Sequence, residues 1–266
     1  MLKDITLGQY IPADTPIHKL DARTKILATM GFITVIFVIN KLLAYSIVVA
    51  FIALVVYLGK ISAKFLLKSL KPVIYLIIFT AVLNLLVTPG DTVIFKYWII
   101  KITQEGADLA IFMSIRLILL IAGASIMTLT TSPIALTDGI EKLLSPFKRI
   151  GLPAHELAMM MTIALRFVPT LLEETEKIMN AQKARGADFE SGNIIERAKA
   201  MVPIIVPLFV SAFRRAEELA MAMEARCYRG DYGRTRMKQL KFGKLDIVAL
   251  FVFMLFTASI VVSRIL

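Results

Sequence analysis

A chain of 266 residues that is 58% hydrophobic, with a mean hydropathy of +0.75, lies outside the range of soluble domains, which are about 45–50% apolar. Its formal charge of +11 does not indicate a nucleic-acid partner, because the basic residues flank apolar stretches and so orient a membrane chain. The single cysteine, Cys227, excludes an internal disulfide, and with only His18 and His155 beside it no metal cluster is encoded.

The first 21 residues are polar and lack the apolar centre of a signal peptide, so the first apolar segment is expected to stay in the mature protein. From Ile26 to Leu58 the chain is apolar except at Asn40 and Lys41. One helix of that length would run about 50 Å against a hydrocarbon core of about 30 Å, so it is split there into two spans. A third span follows Pro72 and stops at Thr88-Pro89-Gly90. The loop DTVIFKYWIIKITQEG has alternating apolar residues suited to a small hairpin, and its Tyr97 and Trp98 suit a membrane interface. A fourth span covers about 107–131.

Residues 132–245 hold 18 of the 31 lysines and arginines and cannot all lie in hydrocarbon. They are read as a cytoplasmic module of amphipathic helices. Ser132 ahead of Pro133 caps a short helix ending near Pro146. A longer helical run follows Gly151-Leu152-Pro153, with a break or kink expected at Pro169, and ends at Gly186. After Gly192-Asn193 a further run meets Pro203 and Pro207 and continues to Arg226. A last span near 247–262 completes five, and 26 of the 31 basic residues then fall on the inner side with the N-terminus. The expected fold class is an all-α integral membrane protein with about five transmembrane helices. Its regions are 1–131 (spans near 25–40, 42–59, 72–88 and 107–131), the module 132–245, and 246–266.

The two long module helices end alike, on Ala184-Arg185-Gly186 and Ala225-Arg226-Cys227. A basic residue in the last turn complements the helix dipole and a glycine after it takes the left-handed cap, so each motif alone is accounted for as a helix end. As a pair they offer two planar, permanently charged guanidiniums flanked by small residues, suited to two acidic grooves. No GxxxxGK[ST] phosphate loop is present, so any ATP-driven work needs another subunit. Met159, Met160, Met161, Met179, Met201, Met221 and Met223 give the module either ordinary core or an adaptable apolar face for partners.

These motifs, with HKLDARTK (His18 to Lys25), LTTSP (Leu129 to Pro133), the Gly151–Pro153 turn and ALRFVPTLLEE (Ala164 to Glu174), run in an order that resembles the transmembrane T component of energy-coupling-factor (ECF) importers of vitamins and metals. Ala22 and Cys227 depart from that pattern, where the family often has proline and glycine. The resemblance implies a non-catalytic scaffold whose amphipathic helices are coupling helices. Two ABC ATPase subunits, which bind the ATP and Mg, each receive one X-Arg-X end. One small substrate-binding S component packs on the apolar helices. It further implies that Arg185 and Arg226 carry the coupling, that Ala184, Gly186, Ala225 and Cys227 shape their approach, and that the chain itself binds no cofactor. For S-component contact we single out Met159, Met160, Met161, Met221 and Met223.

Smaller assignments follow from the residues alone. Arg116, within the fourth span, suits a structural pairing better than an anion site. Arg23 and Lys25 read as inner-side anchors, Glu173, Glu174 and Glu176 as a solvated face, and Arg214-Arg215 with Glu217-Glu218 as pairs within one helix. The nearest alternative is the permease of a conventional ABC importer, which presents one coupling helix and lines the substrate path itself. A lipid-linked phosphotransferase needs clustered acids for metal, whereas Asp138, Glu141 and Glu156 look scattered and without a histidine partner. A proton-coupled carrier would need intramembrane carboxylates and an inverted repeat.

Overall fold

The computed structural model describes residues 10–39, 41–90, 92–97, 100–189, 193–230 and 240–265. Asn40, Trp98 and Gly192, which the sequence marks as a break, an interface residue and a boundary, lie outside the described residues. The described residues form two compact units, one within Ile140–Gln239 and the other within Gly8–Gly139 and Leu240–Leu266.

The second of these holds most of the apolar helices. Helix α1 (Ala22–Val38) starts at Asp21, whose side chain accepts the Arg23 N–H, and stops before Lys41, where α2 (Leu42–Gly59) begins. The expected division of the first long apolar run is therefore real. Helix α3 (Ala63–Leu70) and α4 (Ile74–Val87) are joined by a tight turn at Lys71–Val73. Pro72 sits in that turn, where a missing N–H is harmless, so the apolar helix extends back to Ala63 and does not begin at the proline. Strands β1 (Val93–Tyr97) and β2 (Ile100–Thr103) make the expected hairpin, pairing Val93 with Thr103 and Tyr97 with Ile100. Thr103 then caps α5 (Gln104–Thr130) by accepting the Gly106 N–H at 3.1 Å.

Phe32 and Ile36 of α1, Tyr45 and Val48 of α2, Leu119 of α5, and Phe256 and Ile260 of α9 (Lys244–Ile265) form the buried centre. Phe51 and Phe256 stack there with centroids 4.1 Å apart, a geometry that adds to the area they bury. The Phe32 ring packs directly on Gly123 of α5, where an added Cβ would collide with it. Outside this centre large apolar side chains face outward, among them Tyr75 at 79% and Val87 at 67% exposure, a surface that fits lipid and not water.

The other unit contains the end of α6 (Pro133–Leu144), a tight turn over Ser145–Ile150, α7 (Ala154–Ala184) and α8 (Ile194–Ala225). Ser132 caps α6, its Oγ accepting the Ala135 N–H at 3.3 Å, and the Asn193 N–H donates to Glu196 Oε2 at 3.0 Å across the first turn of α8. Of the break or kink expected at Pro169, a break does not occur: α7 continues through it to Ala184, as α8 does through Pro203 and Pro207. One absent N–H in a helix of about eight turns leaves enough surrounding bonds to carry the ladder across.

Among the described residues five helices are long and apolar enough to cross a membrane, but they are not the five read from sequence. Helix α7 is among them by length, with the lowest mean hydropathy of the five and a charged second half, whereas α1, with 17 residues, spans only about 25 Å.

Candidate functional site

The two X-Arg-X motifs adopt one geometry. At the end of α7 the Ala187 N–H donates to the Gln182 carbonyl and the Gly186 N–H to that of Lys183, both at 3.0 Å. At the end of α8 the Tyr228 N–H donates to Met223 at 3.0 Å and the Cys227 N–H to Glu224 at 2.9 Å. Each is a Schellman end, with the arginine as the cap and the next residue left-handed. Gly186 has φ +87° and Cys227 φ +57°. A residue with a Cβ thus holds the second position in the glycine's conformation, and the departure at Cys227 leaves the cap intact. Arg185 and Arg226, with Ala184, Gly186, Ala225 and Cys227, are exposed.

Contacts between α7 and α8 fix how these ends relate. Glu174 of α7 accepts from Ser211 Oγ at 2.6 Å and from the Arg215 guanidinium at 2.8 Å, and Gln182 donates to the Pro203 carbonyl at 3.5 Å. Eight residues forward on α7 correspond to eight back on α8, so the helices run antiparallel. Continued along that register, the two arginines stand at opposite ends of the pair, on the order of 40 Å apart. The same register levels Met221 and Met223 with the α7 turns next to Met159, Met160 and Met161. Met160, Met161 and Met221 are exposed and Met159 and Met223 half-buried, so these five are not packed as a core.

Two assignments made from sequence are corrected here. Glu174 is not part of a solvated face, and Arg215 bonds across to it and not along its own helix, because antiparallel packing sets Glu174 against the Ser211 and Arg215 turn. Glu141 does have a histidine partner, His155 Nδ1 at 3.2 Å. Among the described residues no three acids, histidines or cysteines converge as a metal would require.

In the other unit Arg116 makes the expected structural pairing. Its guanidinium donates to the Ile39 carbonyl at 2.7 Å and to the Tyr45 hydroxyl at 3.3 Å, satisfying groups between α1 and α2. Residues of the HKLDARTK stretch do more than anchor. Lys25 is buried and donates to the Thr130 carbonyl at 2.7 Å and the His18 carbonyl at 3.2 Å. Asp246 of α9 accepts the Asp21 N–H at 2.8 Å, and the Arg23 guanidinium lies 4.0 Å over the Phe242 ring while pairing with Asp21 at 2.9 Å. This polar knot ties together the start of α1, the end of α5 and the start of α9. Desolvation raises the Asp21 carboxyl, but the Arg23 hydrogen bonds outweigh it and hold it below the ordinary value; burial, then Lys25, pushes His18 down. The signal that could have exposed the knot is four polar residues placed directly before and inside the start of an apolar helix.

Helices whose large apolar side chains face outward, in a chain that also carries two exposed, identically capped arginine ends, define a multi-pass membrane protein. The profile of the CbiQ family, described as a cobalt transport protein, matches residues 13–238. The chain is 54% identical to the energy-coupling factor transporter transmembrane protein EcfT of Clostridium kluyveri over 266 residues, covering 100% of this chain and 98% of that one. Proteins of the same name from Acidaminococcus fermentans and Thermosediminibacter oceani are 56% and 55% identical, over 96% and 99% of this chain and 97% and 99% of theirs. The chain belongs to this family of transmembrane transport components, and it is a transporter subunit and not an enzyme.

Proposed function

We propose that the chain is the energy-coupling scaffold of an ECF-type ABC importer, with its N-terminus and its α7–α8 unit on the cytoplasmic side. Two ATPase subunits, which bind the ATP and Mg, grip Arg185 and Arg226. One S component, which captures a vitamin or other micronutrient, docks on the apolar helices and on the methionine end of the α7–α8 pair. This chain supplies no cofactor site. The observation that carries this is the repeated Schellman end: two guanidiniums, each held at a rigid cap and flanked by residues without bulk, at opposite ends of one helix pair. A guanidinium in a carboxylate groove makes bidentate, charge-assisted bonds, and separated ends give two motors independent grips on one rigid body. Closure of the ATPases then moves the two ends relative to each other and rotates the pair beneath its cargo.

The test is co-purification of the tagged chain with its ATPases and S component, comparing wild type with Arg185→Ala, Arg226→Ala and the double variant, together with transport in whole cells. Each single variant is expected to lose transport while keeping part of the ATPase, and the double variant to lose both. A double variant that retains its ATPases and transports normally would leave the motifs as helix caps only.

A further inference from the structure

Between α1, α2, α5 and α9 the Gly8–Gly139 and Leu240–Leu266 unit encloses a partly open cavity of about 230 Å³. Its walls are almost wholly apolar, formed by Leu20, Phe32, Leu54, Ile126, Val248 and Phe253 among others. An apolar cavity of roughly 150 Å³ already stays dry and takes up small hydrocarbons, and this one lies within the bundle that faces lipid.

One corner of it is polar. Thr24 and Lys25 both line the cavity and both are buried, at 2% and 7% exposure. Thr24 Oγ1 has no hydrogen-bond partner among the described residues; it stands in the first turn of α1, where the carbonyl one turn earlier, that of Leu20, lies outside the helix. The Lys25 ammonium carries three protons; two go to the neutral carbonyls of His18 and Thr130, the carboxylates of Asp246 and Asp21 act on its charge, and among the described residues no acceptor is shown for the third proton. An unmet hydroxyl beside a cation at the end of an apolar slot has the chemistry of a site for an amphiphile, with its chain in the slot and its oxygens at the corner.

We propose that this partly open cavity holds the carbonyl-proximal segment of one lipid acyl chain, the remainder leaving through its open side, and that the chain's carbonyl or carboxylate oxygen accepts from Thr24 Oγ1 and Lys25 Nζ. The chain wedges between α1, α2, α5 and α9, and the oxygen completes the hydrogen bonding of the polar knot from within. Phospholipid and free fatty acid offer the same group, and the experiment separates them.

Full-length protein in nanodiscs is irradiated with a diazirine-bearing phosphatidylglycerol or a diazirine-bearing palmitate, and the adducts are mapped by peptide mass spectrometry. Adducts on the cavity-lining peptides of α1, α5 and α9 are expected, and the probe that gives them names the source. Ala28→Phe, which fills the slot from its wall, should bring those adducts to background; Ala249→Leu does the same from α9 should the first variant fold poorly. Thr24→Val, which keeps the shape and removes the hydroxyl, should lower them about 2- to 10-fold, the worth of one net hydrogen bond. Adducts confined to the outward face of α4, or unchanged in a monodisperse filled variant, would overturn the proposal.

Discussion

Gly186 and Cys227 occupy equivalent positions in two copies of one cap, so replacing them must act in opposite directions. Nothing lies within 4 Å of a Cβ added at Gly186, so Gly186→Ala changes only the backbone preference at φ +87°. The left-handed region costs a residue with a Cβ about 1–2 kcal/mol. The chain entropy removed from the unfolded state returns about 0.5–1 kcal/mol, leaving a net loss of about 1 kcal/mol at the end of α7. At φ +57° Cys227 already carries that cost, so Cys227→Gly should gain about the same at the end of α8. The assay is hydrogen exchange of the amides that close the caps, Gly186 and Ala187 in one and Cys227 and Tyr228 in the other. About 1 kcal/mol shifts a local opening equilibrium roughly fivefold, so exchange should quicken by that factor at the first end and slow by it at the second. Equal changes at both ends, or faster exchange in Cys227→Gly, would refute the claim that the two motifs are one structure.

Two further outcomes follow from the knot and the methionine end. His18 and Asp21 both have folded values below their ordinary ones, so the unfolded chain binds protons more readily. Their stabilisation is complete above the unfolded values, about 6.5 and 3.9, and is lost as pH falls through the lower folded values. Thermal melting in detergent should show stability declining on acidification from near neutrality, with the upper step absent in His18→Gln; a flat or rising profile contradicts this assignment. Replacing exposed Met160, Met161 and Met221 with serine should weaken capture of the S component in pull-downs while the ATPases stay bound, and undiminished capture would remove the methionine end from the interface.

Much of the fold was legible because the membrane makes strong demands on composition. The length of the Ile26–Leu58 run required a break, and the helices divide between Val38 and Leu42. The Ser132 cap and both arginine ends also followed from local rules, since a cap is decided by the few residues around it. Proline was read in part: Pro169 does not interrupt α7, which ends where expected, and the apolar helix reaches back before Pro72, because the neighbouring turns and, at Pro72, a tight bend absorb the missing donor. Partners distant in sequence were beyond reach. Glu174 offers the same carboxylate whether it meets water, a neighbour on its own helix, or Arg215 on another.

By itself, then, the sequence determined a membrane-embedded all-α chain with a basic polar module and two matching helix ends, because hydropathy, charge bias and caps are properties of short segments. Only the tertiary structure decided that the arginines stand at opposite ends of an antiparallel pair, and that Lys25 is buried among carbonyls and not an anchor in water. It also decided that four helices leave an apolar slot with an unmet hydroxyl at its corner. Each of those depends on the register in which helices pack, and register is chosen by the sum of many weak side-chain contacts across the interface, which no single segment contains.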